Sequence, residues 1–161
     1  MLNPILHLVC GKAGSGKSTL CNELAKLPQT VLISEDLWLS TLFGDQLSSI
    51  DDYVRLSQKL RGALGPHIID ILQSGTSVVL DFPANTTKLR AWMLDLASEA
   101  QITHQLHFLD VPDDLCKSRL RARNISGDHP FSVSDAQFDQ LAAYFEPPST
   151  AEGLTILRHI D

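Results

Sequence analysis

Eight residues near the N-terminus, Gly11-Lys12-Ala13-Gly14-Ser15-Gly16-Lys17-Ser18, constrain the fold of this chain more than any others. They match the pattern G-x-x-x-x-G-K-[ST] at every fixed position, and the pattern has a physical cause. A loop that wraps phosphates must bring backbone N–H groups to the anion, and Gly11, Gly14 and Gly16 leave off the side chains that would block the approach. Before the loop, Ile5 to Cys10 reads as a buried strand. After it, Lys17 to Leu27 reads as a helix with Leu20, Leu24 and Leu27 on one face. That helix points its positive dipole end at the loop, which suits an anion. ATP or GTP binding follows from this strand–loop–helix setting. Lys17 is placed to reach the β- and γ-phosphates and the Ser18 hydroxyl to sit on Mg²⁺. Lys12, Ala13 and Ser15 complete the wrap, and Thr19 falls on the adenosine or α-phosphate side or is simply helical.

Beyond the loop, apolar runs alternate with amphipathic segments. Further strands are expected at Thr30–Ser34, Thr76–Phe82, Gln105–Leu109 and Leu154–Leu157. Residues 36–73 read as mostly helical, with Gly44 as a break, Gly62 and Gly65 as weaker breaks, and Gly75 as the end. Asn85 is the expected N-cap of a helix through Ala100, and Pro112 suits the first turn of the next helix. Ser134 with Gln137 forms a capping box for a helix ending near Phe145, where Pro147 and Pro148 stop it. Strands alternating with helices imply a single α/β domain over residues 1–161, its parallel sheet covered on both faces.

Composition removes several classes of function. No run approaches the ~20 apolar residues of a membrane helix, and the first ten residues lack the pattern of a secretory signal, so cytoplasm is the expected compartment. With 19 acids against 13 Lys and Arg, the net charge is -6. Nucleic acid is thereby disfavoured as the main partner. Cys10, Cys21 and Cys116 have no metal-type spacing and read as buried apolar residues. His104 and His107 fall on opposite faces of a strand with no third ligand nearby, which argues against zinc.

A phosphate loop fixes the nucleotide and leaves the reaction open. Transfer to a hydroxyl benefits from a carboxylate that accepts the hydroxyl proton. Asp36, just past the second strand in Ser34-Glu35-Asp36, is the candidate, with Glu35 as a possible substitute or Asp36 as a mere helix cap. Asp81 follows Val78-Val79-Leu80 and is the candidate for orienting Mg²⁺; Asp110 follows a looser version of the same pattern. Arg119 and Arg123, four apart, share a helix face and could clamp the transferring phosphoryl group, whereas Arg121 points elsewhere. The polar, Gly-containing segment 124–131 is a candidate lid. Arg55, Arg61 and Arg90 read individually as surface residues, any one of which could grip a polar acceptor.

With these residues in place, the chain resembles the bacterial ATP-binding proteins of the zeta-toxin, chloramphenicol-phosphotransferase and polynucleotide-kinase-like group over nearly its whole length. The resemblance rests on the phosphate loop, Ser34-Glu35-Asp36, Val79-Leu80-Asp81, Arg119 with Arg123, and Phe145-Glu146-Pro147-Pro148. It implies a three-layer P-loop NTPase fold of the nucleotide-kinase type, with a five-stranded parallel sheet in the order 2-3-1-4-5 and a short lid. It also implies that Asp36 matches the base of these kinases, that Arg123 or Arg119 matches their lid arginine, and that Pro147 to Gly153 lies near adenine. The chain departs from the group in carrying Glu35 before Asp36, and in following Asp81 with Phe82-Pro83-Ala84-Asn85, which makes Asn85 a candidate contact for acceptor or γ-phosphate. The expectation is a small-molecule kinase using ATP and Mg²⁺. The alternatives are a nucleotide-dependent switch that binds a protein partner and a 5′-hydroxyl polynucleotide kinase.

Overall fold

The computed structural model describes residues 3–127 and 132–160. Five strands, β1 (Ile5–Cys10), β2 (Thr30–Ser34), β3 (Ser77–Asp81), β4 (Thr103–Asp110) and β5 (Ile156–Ile160), form one sheet in the order β2-β3-β1-β4-β5. Every pairing is parallel. The helices α1 (Lys17–Leu24), α2 (Glu35–Phe43), α3 (Ile50–Gln73), α4 (Thr87–Ala100), α5 (Asp113–Ser126) and α6 (Asp135–Ala142) make the connections, as parallel strands require. The chain adopts the kinase-like P-loop NTPase fold.

The sheet is buried on both faces, so its strands carry apolar residues at successive positions. On one face Leu6, Leu8, Val78, Leu80 and Leu106 pack with Leu60, Leu64, Ile68 and Leu72 of α3 and with Met93, Leu96 and Ala97 of α4. On the other, Val9 and Val79 pack with Cys21 of α1. A smaller cluster of Cys116, Leu120 and Phe138 joins α5 to α6. The register sets Ser34 beside Asp81 and Cys10 beside Phe108. The carboxyl ends of these strands therefore collect at one edge of the sheet, where open α/β folds bind ligands.

Several boundaries differ from the sequence reading. Helix α1 stops at Leu24, and Leu27 lies exposed beyond it. Helix α3 runs unbroken through Gly62 and Gly65 because seven buried positions along it hold it to the core, and Gly65 lies against the Trp92 and Leu96 side chains. The cap of α4 is Thr86, whose hydroxyl accepts from the Leu89 N–H, one residue later than expected. Pro112 stands just before α5, with its carbonyl accepting from Leu115 and Cys116. The capping box of Ser134 and Gln137 forms as expected, although α6 ends at Ala142. Strand β5 begins two residues later than expected and runs to Ile160, paired with β4.

Three histidines, one from each of β1, β4 and β5, line up across the sheet. His7 Nδ1 lies 3.2 Å from His107 Nε2, and His107 Nδ1 lies 3.2 Å from His159 Nε2. Burial lowers the pKa of His7, and burial together with the two neighbouring imidazoles lowers that of His107 to about 4. Among the described residues, no helix is long and apolar enough to cross a membrane.

Candidate functional site

The loop between β1 and α1 owes its shape to two of its glycines. Gly16 is the N-cap of α1 at φ 99°, a left-handed conformation that a side chain would strain. Gly14, at φ 78°, turns beneath α5, where an added Cβ would lie 2.5 Å from the Cys116 carbonyl and 2.8 Å from Leu120. Its lack of a side chain therefore serves docking on α5 as well as access to a ligand. The loop borders a cleft of about 760 Å³, lined also by Glu23, Asp36, Asp81, Arg119 and Arg123. Lysines 12 and 17 and the hydroxyl residues Ser18 and Thr19 all line this cleft.

The candidate acids separate by their surroundings. The Ser18 hydroxyl donates to Asp81 Oδ2 at 3.2 Å, which brings together the two residues expected to support a metal. Asp110 pairs with Arg158 of β5 instead. Asp36 lies in the first turn of α2 and lines the cleft; the cap of that helix is Ser34, whose hydroxyl accepts from Leu37. Glu35 does not share the cleft. It is 1% exposed, accepts from the Tyr53 hydroxyl at 2.5 Å and faces Arg61 at 3.6 Å. Burial raises its pKa, opposed by the Tyr53 hydrogen bond and the Arg61 charge. Its carboxylate is thereby enclosed away from the cleft that Asp36 lines.

Arg119 and Arg123 face the cleft from α5. Arg119 Nη1 donates to the Ser15 carbonyl at 3.3 Å, joining the loop to the helix. The Nε of Arg123 is buried with no hydrogen-bond partner among the described residues. Burial lowers the Arg123 pKa while the Asp36 charge acts in the opposite direction. Arg121 points away and pairs with Asp135 of α6. The candidate lid begins inside α5, whose left-handed C-cap is Gly127, and residues 128–131 lie outside the described residues. Asn124 exchanges two hydrogen bonds with the Val133 backbone, at 2.7 and 3.2 Å.

The remaining arginines differ from one another. Arg55 faces Asp52 on the surface, at 3.6 Å. Arg61 stands 3.6 Å from Glu35 and lies over the Trp92 ring. Arg90, read as a surface residue, is 0% exposed and belongs to an internal network. Asn85 Oδ1 accepts from the Gly11 N–H at 3.3 Å, which braces the start of the loop rather than reaching into the cleft.

A second hollow of about 350 Å³ adjoins Lys12 on the β4–β5 side, walled by Phe108, Phe145, Pro147 and the Asp110–Arg158 pair. Phe108 and Phe145 stack with centroids 6.1 Å apart, and Lys12 Nζ lies 5.5 Å from the Phe145 centroid while pairing with Asp113 at 2.8 Å. The family resemblance implies that Pro147 to Gly153 lies near adenine, and of that segment Pro147 lines this hollow. Phe108 and Arg158, which also line it, are not singled out by the sequence. Their only signal is position, at the ends of two adjacent strands.

A family model described as an AAA domain matches residues 6–148. No curated protein matches the chain by sequence. Among solved structures, a suggested kinase of Chloroflexus aurantiacus superposes with a TM-score of 0.75 at 24% identity, over 99% of this chain and 86% of that one. The Mycobacterium tuberculosis APS kinase CysC, solved with AMPPNP and APS, gives a TM-score of 0.59 at 15% identity, over 99% and 90%. A component of the Pnkp1/Rnl/Hen1 RNA repair complex gives 0.64 at 22% identity, over 89% of this chain and 44% of that one. At these identities the structural likenesses establish the fold.

Proposed function

Because the chain belongs to the AAA-domain family, whose model covers residues 6–148, we propose that it is a kinase that moves the γ-phosphate of ATP to a hydroxyl of a small molecule. One observation carries this reading: a single cleft holds the phosphate loop with Lys17, a carboxylate at Asp36 and two guanidinium groups at Arg119 and Arg123. The loop N–H groups and Lys17 bind the phosphates. Asp36 accepts the proton of the acceptor hydroxyl as its oxygen bonds to the γ-phosphorus, and the bond to the β–γ bridging oxygen breaks to release ADP. Arg123 and Arg119 neutralise charge on the phosphoryl group in transit. The base occupies the hollow beside Lys12, between Phe145, Pro147 and Arg158.

The Ser18 hydroxyl and Asp81 carboxylate, 3.2 Å apart, are hard oxygen donors that suit Mg²⁺. When bound there, Mg²⁺ offsets the negative charge of the triphosphate. The net charge of -6 and the carboxylates of Glu23, Asp36 and Asp81 in the cleft favour a small acceptor over a polynucleotide end. Cys10, Cys21 and Cys116 are free and buried, which suits the reducing cytoplasm.

The test is transfer from γ-labelled ATP with Mg²⁺ to a panel of nucleosides, sugars, aminoglycosides, chloramphenicol-like diols and 5′-hydroxyl oligonucleotides. Labelled acceptor that disappears with Lys17→Ala and with Asp36→Asn establishes the kinase and its substrate class. Label on the oligonucleotide alone moves the assignment to polynucleotide ends. Free phosphate as the sole product, unchanged by Asp36→Asn, refutes the kinase in favour of a switch.

A further inference from the structure

Arg90 is a charged side chain with no exposed surface, on a helix whose neighbouring Lys88 and Ala91 face solvent. Burying a guanidinium costs free energy unless its donors are satisfied, and an apolar pair of the same volume would serve stability as well. The satisfaction here is directional. Nε and Nη2 grip the two Glu152 oxygens at 2.9 and 3.2 Å in the forked geometry of an arginine–carboxylate pair. Nη1 donates to the Ala84 carbonyl at 2.9 Å, and Nη2 reaches the Pro147 carbonyl at 3.5 Å. One planar group thus joins three segments: the turn after β3, the chain after α6, and the turn before β5.

The first two of these segments touch the proposed nucleotide site. Next to Ala84, the Asn85 side chain accepts from the Gly11 N–H of the phosphate loop, and its carbonyl accepts from the Glu146 N–H at 2.8 Å. Phe145 and Pro147 form a wall of the second hollow. The Thr87 hydroxyl adds a bond to Glu146 at 3.0 Å. The phosphate loop and the base hollow are therefore connected by the Asn85–Glu146 bond and, in parallel, through Arg90.

We infer that the Arg90–Glu152 pair is a positioning unit for nucleotide binding, setting the base hollow at a fixed distance from the phosphate loop so that both engage one nucleotide together. None of its atoms need touch the ligand; its effect lies in preorganisation, which raises affinity by lowering the cost of ordering the site. The inference rests on the nucleotide reading of the cleft, and it divides the labour. Arg90, held by Glu152, ties the turn at Ala84 to the hollow wall at Pro147 and so sets the base end, whereas Asn85, bonded to Gly11, holds the phosphate end.

Titration calorimetry with Mg²⁺ compares two probes, ATP and inorganic tripolyphosphate, which has no base. Glu152→Gln is expected to weaken ATP about tenfold, the scale of the ordering cost that preorganisation saves, and to leave tripolyphosphate within about twofold. Glu152→Asp keeps the charge and is read in its place if the glutamine variant does not fold; it is expected to recover part of the ATP affinity otherwise. Asn85→Ala is expected to weaken both probes alike. A general loss of structure would lower both probes together in every variant. Equal losses of ATP and tripolyphosphate with the Glu152 variants, or no loss of either, overturn the positioning role. A wild-type protein that binds neither probe overturns the nucleotide reading, and this inference with it.

Discussion

Glu152 and Glu35 each face an arginine from a long helix, Arg90 on α4 and Arg61 on α3, and the two pairs are made to different tolerances. Both Glu152 oxygens are bonded to Arg90, at 2.9 and 3.2 Å. Burial alone would push the Glu152 carboxyl up, but the bonds from Arg90 and the Ser149 N–H hold it below the usual range. Glu35 has one oxygen on Tyr53; the other is buried with no hydrogen-bond partner among the described residues, and Arg61 stands off at 3.6 Å. Its pKa goes up, with burial as the leading cause. The saturated joint lies on the proposed nucleotide side, and the unsaturated one ties the start of α2, next to Asp36, to α3. Under the proposed kinase reading, the fully bonded joint would suit the nucleotide side and the partly bonded one the acceptor side.

The strongest way to break the comparison is Arg90→Met. Removing the guanidinium leaves the Glu152 carboxylate, 18% exposed, without its partner, so urea unfolding should show a loss of about 3 kcal/mol, the low end for a broken buried pair; a loss no larger than that of a surface substitution would mean the joint is slack. The histidine row must be subtracted before acid stability is compared. The folded-state pKa of His107 is about 4, against about 6.5 in an unfolded chain. The unfolded chain therefore takes the proton first. Stability is complete above about 6.5 and declines as pH falls toward about 4, by up to about 3 kcal/mol, and His107→Phe should remove that part of the slope in pH-dependent melts.

Tyr53→Phe sharpens the contrast from the other side. It takes the hydroxyl donor from Glu35 and should cost about 2 kcal/mol at neutral pH by denaturant melts, with a smaller loss in acid where Glu35 is protonated. The smallest effect is one of sign. Glu35 has a raised folded pKa, so its contribution falls as pH rises from the ordinary carboxylate range through that raised value. Glu152 has a depressed one, so its contribution is present above the ordinary range and fades as pH falls through the depressed value. Glu35→Gln and Glu152→Gln should therefore change the pH dependence of stability in opposite directions; slopes of one sign would erase the distinction.

How much of the molecule is legible in its sequence depends on how far apart the partners lie in the chain. The phosphate loop with its flanking strand and helix is local, and the alternation of apolar runs conveys the parallel sheet. The pairing of Ser18 with Asp81 can be anticipated because the loop follows one apolar strand and Asp81 ends another. Arg90 cannot be placed, since its burial depends on Glu152, 62 residues away. The histidine row depends on the register of three strands, and no pattern within any one of them announces it. Gly62 and Gly65 mislead because helix propensity counts residues singly, while α3 is held by a continuous buried face. Asn85 stands in the expected neighbourhood, where its side chain accepts from the Gly11 N–H of the loop, a bond no local pattern announces.

The seat of Gly14 against α5 bears on how such chains can be compared. A methyl group at position 14 would meet the Cys116 carbonyl at 2.5 Å, so the position is held by helix docking whether or not a phosphate ever occupies the loop. A descendant that abandoned nucleotides would still keep glycine there. Its presence in a distant sequence testifies to architecture, and the chemistry has to be judged at Lys17.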